Sequence, residues 1–202
     1  MVRALLDLAA GRLDRAAPAE ETLRLVAAAA LAVTALAALY GVAVGSTEPV
    51  LALHNAWKVP MVLVLSAATA LPAGVLAHHL AGAKRPGVDL LVGLAAGNLS
   101  AAMVLASMAP LVAIYYQTSE VFGGFLAICA GFLALAVGIP SGARATLRRR
   151  DEEEARSPML SVALAVTVVV QMAALLQFIH VASPILPEIT PFADGLDGLL
   201  RW

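Results

Sequence analysis

Residues 143–182 read ARATLRRRDEEEARSPMLSVALAVTVVVQMAALLQFIHVA, and this stretch decides the fold. Between Met159 and Ala182 there is no Lys, Arg, Asp or Glu. An α-helix rises about 1.5 Å per residue, so the run is long enough to cross the roughly 30 Å hydrocarbon core of a bilayer. The block before it carries Arg144, Arg148, Arg149, Arg150 and Arg156. Lys and Arg concentrate on the cytoplasmic flanks of spans. The stretch therefore supplies both a membrane-crossing helix and the side from which it enters.

Four more runs upstream meet the same length, giving spans at about 23–45, 60–82, 88–116, 121–140 and 159–182. Pro60 opens the second and Pro140 closes the fourth. The runs are rich in Ala and Leu and lack the two-residue alternation of a barrel strand, so they read as helices. The fold class is all-α: a polytopic five-helix transmembrane bundle. Residues 1–22 form a cytoplasmic N-terminal segment, 23–182 the membrane domain, and 183–202 a tail outside.

Eleven of the thirteen basic residues fall on the N-terminal flank, the second gap and the fourth gap; Lys58 and Arg201 are the other two. That bias places the N-terminus in the cytoplasm and, with an odd number of spans, the C-terminus outside. The run Asp151–Glu154 leaves the bias intact, because carboxylates contribute little to it. The first run is preceded by about twenty residues that include Asp7, Asp14, Glu20 and Glu21, unlike the short basic start of a signal peptide.

Composition agrees. Hydrophobic residues are 61% and charged residues 13% of the chain, against roughly 45–50% and 25% in soluble domains. A net charge of −1 excludes nucleic acid as an expected partner, since phosphate binding needs concentrated basic charge. The excess of Arg over Lys and of Ala fits a GC-rich bacterial genome, hence a multi-pass protein of a bacterial cytoplasmic (inner) membrane. The lone Cys129 lies inside an apolar run and reads as a small core residue.

Leu5, Leu6, Leu8, Ala9 and Leu13, with arginines interleaved, suggest a short helix on the inner leaflet. Leu147–Ser157 reads as a solvated hinge. After Pro184, the residues Pro187, Pro191, Gly195 and Gly198 predict an irregular tail, which Phe192, Leu196, Leu199, Leu200 and Trp202 rest on the bilayer surface.

Polar groups inside spans are few, and each must be satisfied in hydrocarbon. Asn98 in the third span and Gln171 in the fifth each lie about three turns from the basic end of their helix. They are expected to meet at similar depth as an interhelical hydrogen bond. Ser66, Thr69, Ser100 and Gln177 are the other candidates. Neither a catalytic set nor a metal set is expected. His78 and His79 fall near the cytoplasmic end of one helix and His180 near the outer end of another, with His54 in a loop. Coordination bonds of about 2 Å cannot join opposite leaflets. No cofactor is implied.

Gly41 and Gly45 form a GxxxG pair, as do Gly93 and Gly97, and such spacing lets helix backbones approach closely. Pro72 and Pro110 fall inside spans and are expected to kink them.

Tyr40-Gly41 late in one helix, Lys58-Val59-Pro60 opening the next, Leu71-Pro72 within it and Ala109-Pro110 late in the third resemble the Yip (Ypt-interacting protein) family. The resemblance covers the first three spans. It implies a five-span architecture with a cytoplasmic N-terminus and the C-terminus outside. The family's Asp-Leu-Tyr-Gly-Pro signature is reduced here to Leu39-Tyr40-Gly41, preceded by Ala38 and followed by Val42. The resemblance therefore carries architecture and not the GTPase binding of the eukaryotic members.

The expected function is that of a non-enzymatic integral membrane protein: a scaffold, assembly factor or subunit of a membrane complex. Its partners are the lipid bilayer and either another membrane protein or a second copy. The alternative is a small channel, transporter or permease subunit, using Ser66, Asn98 and Gln171.

Overall fold

The computed structural model describes residues 1–13, 18–150 and 157–186. Within them the chain forms α1 (Val2–Ala9), α2 (Ala19–Val44), α3 (Pro49–Leu80), α4 (Pro86–Thr118), α5 (Glu120–Arg148) and α6 (Pro158–Ala182), with no strand among the described residues. The helices α2 to α6 are each long and apolar enough to cross a membrane. The acidic run 151–154 and the expected interfacial residues Phe192, Leu196, Leu199, Leu200 and Trp202 lie outside the described residues.

Three helices open on proline. Pro49, Pro86 and Pro158 stand in the first turn of α3, α4 and α6, where the missing N–H is not needed and the fixed φ is already helical. This moves one boundary. The second span begins at Pro49 and not at Pro60, so His54 and Lys58 lie on helix and not in a loop. Pro60, Pro72, Pro110 and Pro140 are all inside helices. Proline within a membrane helix is tolerated because neighbouring groups satisfy the freed carbonyl. The fourth span accordingly runs past Pro140 to Arg148.

The long helices run up and down with short turns, and Ser119 alone separates α4 from α5. Gly82, at φ +83°, makes the α3–α4 turn in a left-handed conformation that costs a Cβ-bearing residue strain. One end of the bundle thus carries the N-terminus, Lys84, Arg85 and Arg144–Arg150; it is called the basic end below.

α4 and α5 make the closest pair. α6 packs chiefly on α3, and α2 lies across both α3 and α4. Glycine accounts for two of these contacts. A Cβ on Gly142 would lie 2.8 Å from the Gly93 carbonyl oxygen, and one on Gly138 would lie 2.8 Å from that of Gly97. Gly93-x-x-x-Gly97 on α4 thus faces Gly138-x-x-x-Gly142 on α5, backbone against backbone. Gly41 and Gly45 on α2 meet the backbone of Asn55 and of Leu51–Ala52 on the first turns of α3.

α1 is helical, and it docks into the bundle. Leu8 is fully buried among Ala29 and Val33 of α2, Val92, Ala96 and Leu99 of α4, and Ala145 of α5. The Ser100 hydroxyl donates to the Ala9 carbonyl at 2.7 Å. Gly11, at φ +65°, ends the helix against Ser141 and Ala145 of α5. The short helix expected on the leaflet surface is in contact with three spans.

The end opposite the basic one holds the largest of the apolar clusters among the described residues. Tyr40, Val44, Val59, Leu105, Val112 and Tyr116 form its core, and the Tyr40 hydroxyl donates to the Ala127 carbonyl of α5 at 2.7 Å. There Asn55 Nδ2 donates to Ile185 O at 2.6 Å and Lys58 Nζ to Pro184 O at 3.0 Å. These two side chains, one turn apart on α3, pin the segment that follows α6.

Candidate functional site

α5 and α6 sit at the two edges of the bundle and have little contact with each other. Between them, over α3 and α4, lies a cleft. Its walls are apolar on α5 (Leu135, Ile139, Ala143) and α6 (Leu164, Val168, Met172), and the polar side chains are Asn98, Thr146, Thr167 and Gln171.

Gln171 Nε2 donates to Asn98 Oδ1 at 3.1 Å, and Asn98 Nδ2 reaches toward Leu63 O at 3.4 Å. Both residues lie about 18–20 Å along their helices from the basic end. Asn98 also borders a second, apolar groove of about 220 Å³ between α2, α3 and α4. Its amide therefore stands at the partition between two spaces.

Thr146 and Thr167 lie nearer the basic end. Each hydroxyl donates to a carbonyl one turn back on its own helix, Gly142 O at 3.0 Å and Ala163 O at 2.9 Å. This bonding satisfies a hydroxyl in an apolar setting without a partner on another helix. Thr167 also packs against Gly74 of α3, where a Cβ would lie 2.8 Å from its hydroxyl oxygen. At the other limit, Leu135 closes the cleft by packing into the cluster of Val62, Leu175 and Ala182.

The space within the cleft is about 60 Å³. A few waters fit, each needing about 10–15 Å³ of such volume. The ordinary small-molecule site is roughly 300–1,000 Å³.

At the basic end of the same helices, Arg149 Nε donates to Asp89 Oδ1 at 3.0 Å, with side chains 6% and 7% exposed. Arg150 and His78 are buried beside this region, and His78 Nδ1 bonds the Gly74 carbonyl at 2.8 Å. His78 is thus a buried, backbone-bonded residue, whereas His79 is exposed. Among the described residues, no three His, Cys, Asp or Glu side chains gather as a metal site.

The structure thus brings Asn98 and Gln171 together and uses Gly41, Gly45, Gly93 and Gly97 between helices of the same chain. The helices continue through Pro72 and Pro110. Sequence reasoning missed Gly142, Thr146 and the Asp89–Arg149 pair. All depend on α5 continuing beyond Pro140, and the Gly138-x-x-x-Gly142 spacing across that proline was the available signal.

No protein-family model, curated protein or solved structure matches the chain.

Proposed function

We propose that this chain is a non-enzymatic, membrane-embedded scaffold, assembly factor or subunit of a membrane complex, and that the α5/α6 side receives a helix of its partner. One observation carries the reading. The two edge helices each pack chiefly on one neighbour, α5 on α4 and α6 on α3, and leave between them a cleft that reaches a polar amide pair. Phe122, Phe125 and Phe132 stand exposed on α5 at helical spacing, a stripe that suits helix–helix contact as well as lipid. Gly41, Gly45, Gly93, Gly97, Gly138 and Gly142 are already occupied inside the chain, so they do not serve as the partner-binding face. In this reading the basic end faces the cytoplasm of a bacterial cell and the segment after α6 faces outward, as in the Yip-like architecture.

The test is purification of the tagged full chain from its native membrane in mild detergent, with mass spectrometry of what accompanies it. A stoichiometric membrane protein supports the proposal, and a clean single component contradicts it.

A second reading, a small channel or permease subunit, draws on Asn98, Thr146, Thr167 and Gln171 lining one space. The 60 Å³ volume and the apolar clusters beyond Leu135 weigh against it. Solute flux in liposomes at a rate above protein-free vesicles would favour it.

A further inference from the structure

We propose that the α5/α6 cleft is a lateral gate, hinged along α2 and latched by the Gln171–Asn98 hydrogen bond. This goes beyond the functional reading above, since it holds whether the cleft receives a helix or a solute.

The bundle divides into two units. In one, α4 and α5 are locked by reciprocal glycine contacts near Gly93, Gly97, Gly138 and Gly142 and by the Asp89–Arg149 ion pair. In the other, α3 and α6 are locked by Gly74 against Thr167 and by Val62 with Leu175. Contacts this close leave little freedom within a unit, because packed backbones do not deform continuously. The units join along one side, where α2 packs on both α3 and α4 and where α3 meets α4 directly. Leu63 touches all three apolar clusters and sits at that junction.

On the opposite side the join is thin among the described residues. Leu135 rests on the α3/α6 cluster, and Gln171 crosses to Asn98. The Tyr40 hydroxyl holds α5 to α2 at the end away from the basic one. Opening exposes the amides and Thr146 to the lateral entrance, and closing returns Gln171 to Asn98. An interhelical hydrogen bond in a membrane changes such an equilibrium by about three- to twentyfold.

The experiment is pulsed electron–electron distance measurement on the full chain in nanodiscs, with Cys129→Ala to remove the native thiol. Spin labels go on Ala136→Cys of α5 and Ala165→Cys of α6, both exposed positions. Control pairs lie within the units: Ala136→Cys with Met103→Cys on α4, and Ala165→Cys with Leu76→Cys on α3. Gln171→Met and Asn98→Leu are each expected to add a longer-distance population to the α5–α6 pair while both controls stay unchanged. Gln171→Met keeps the side-chain length, so it carries the test if Asn98→Leu does not fold. An unchanged α5–α6 distribution overturns the proposal. So does lengthening of the control pairs together with it, which would mean general loosening of the bundle.

Discussion

The Gln171 side-chain nitrogen lies 3.1 Å from the Asn98 side-chain oxygen, joining α6 to α4 although these two helices share few other contacts. Two amides at matching depth satisfy each other where lipid offers no partner. Single replacement by an apolar residue leaves one amide exposed to hydrocarbon, whereas replacing both removes the need.

Asn98→Leu and Gln171→Leu should each lower stability, and the double variant should lose less than the sum. The coupling expected from a double-mutant cycle is about 0.6 kcal/mol, with roughly 1.7 as the upper limit. Equilibrium unfolding in detergent checks it. Additive losses would mean that the two side chains do not interact.

Gly142→Val and Gly97→Val should each destabilise the protein by about 1–3 kcal/mol, because the new side chain must displace the facing backbone. Gly131→Val is the comparison: a Cβ there meets nothing within 4 Å. Melting temperatures of the three variants in one detergent decide the matter. A Gly131 variant as unstable as the others would remove the steric explanation.

The spans were legible in the sequence because bilayer thickness imposes a length and a composition that chance rarely produces. The depth match of Asn98 and Gln171 was legible for the same reason, since helical rise converts sequence distance to depth. Two boundaries were not. Pro60 and Pro140 end helices in water but not among packed membrane helices, so the first turns of α3 and the last turns of α5 were read as gaps. With α5 cut short, Gly142 and Thr146 dropped out of the site. Asp89 could not be matched to Arg149 from the sequence, because Arg149 lay in the segment read as a hinge. The docking of α1 depends on Leu8 fitting between three helices, which no local pattern states.

Asp89→Asn should cost about 3–5 kcal/mol, because it removes the charge of the buried carboxylate to which Arg149 donates. Asp89→Leu combined with Arg149→Met should be milder than Asp89→Asn alone. Folded yield after membrane extraction and unfolding midpoints for the three proteins test this order. The reverse order would contradict a buried, mutually dependent pair.

Asn55→Leu removes the donor to the Ile185 carbonyl, and Lys58→Met the donor to Pro184. Each hydrogen bond contributes about 0.5–1.5 kcal/mol, so amide exchange over residues 183–186 should rise roughly two- to tenfold. Hydrogen exchange read by mass spectrometry measures it. Exchange around Gly142 should stay the same, and a rise there would indicate global destabilisation.

The central claim is that the α5/α6 side is where a partner binds, and photo-crosslinking in the native membrane tests it most directly. A photoreactive residue replaces Phe132 on α5, 69% exposed, or Leu31 on α2, 74% exposed. The account predicts a discrete protein adduct from Phe132 and none from Leu31. No adduct from either position, or the same adduct from both, would contradict it.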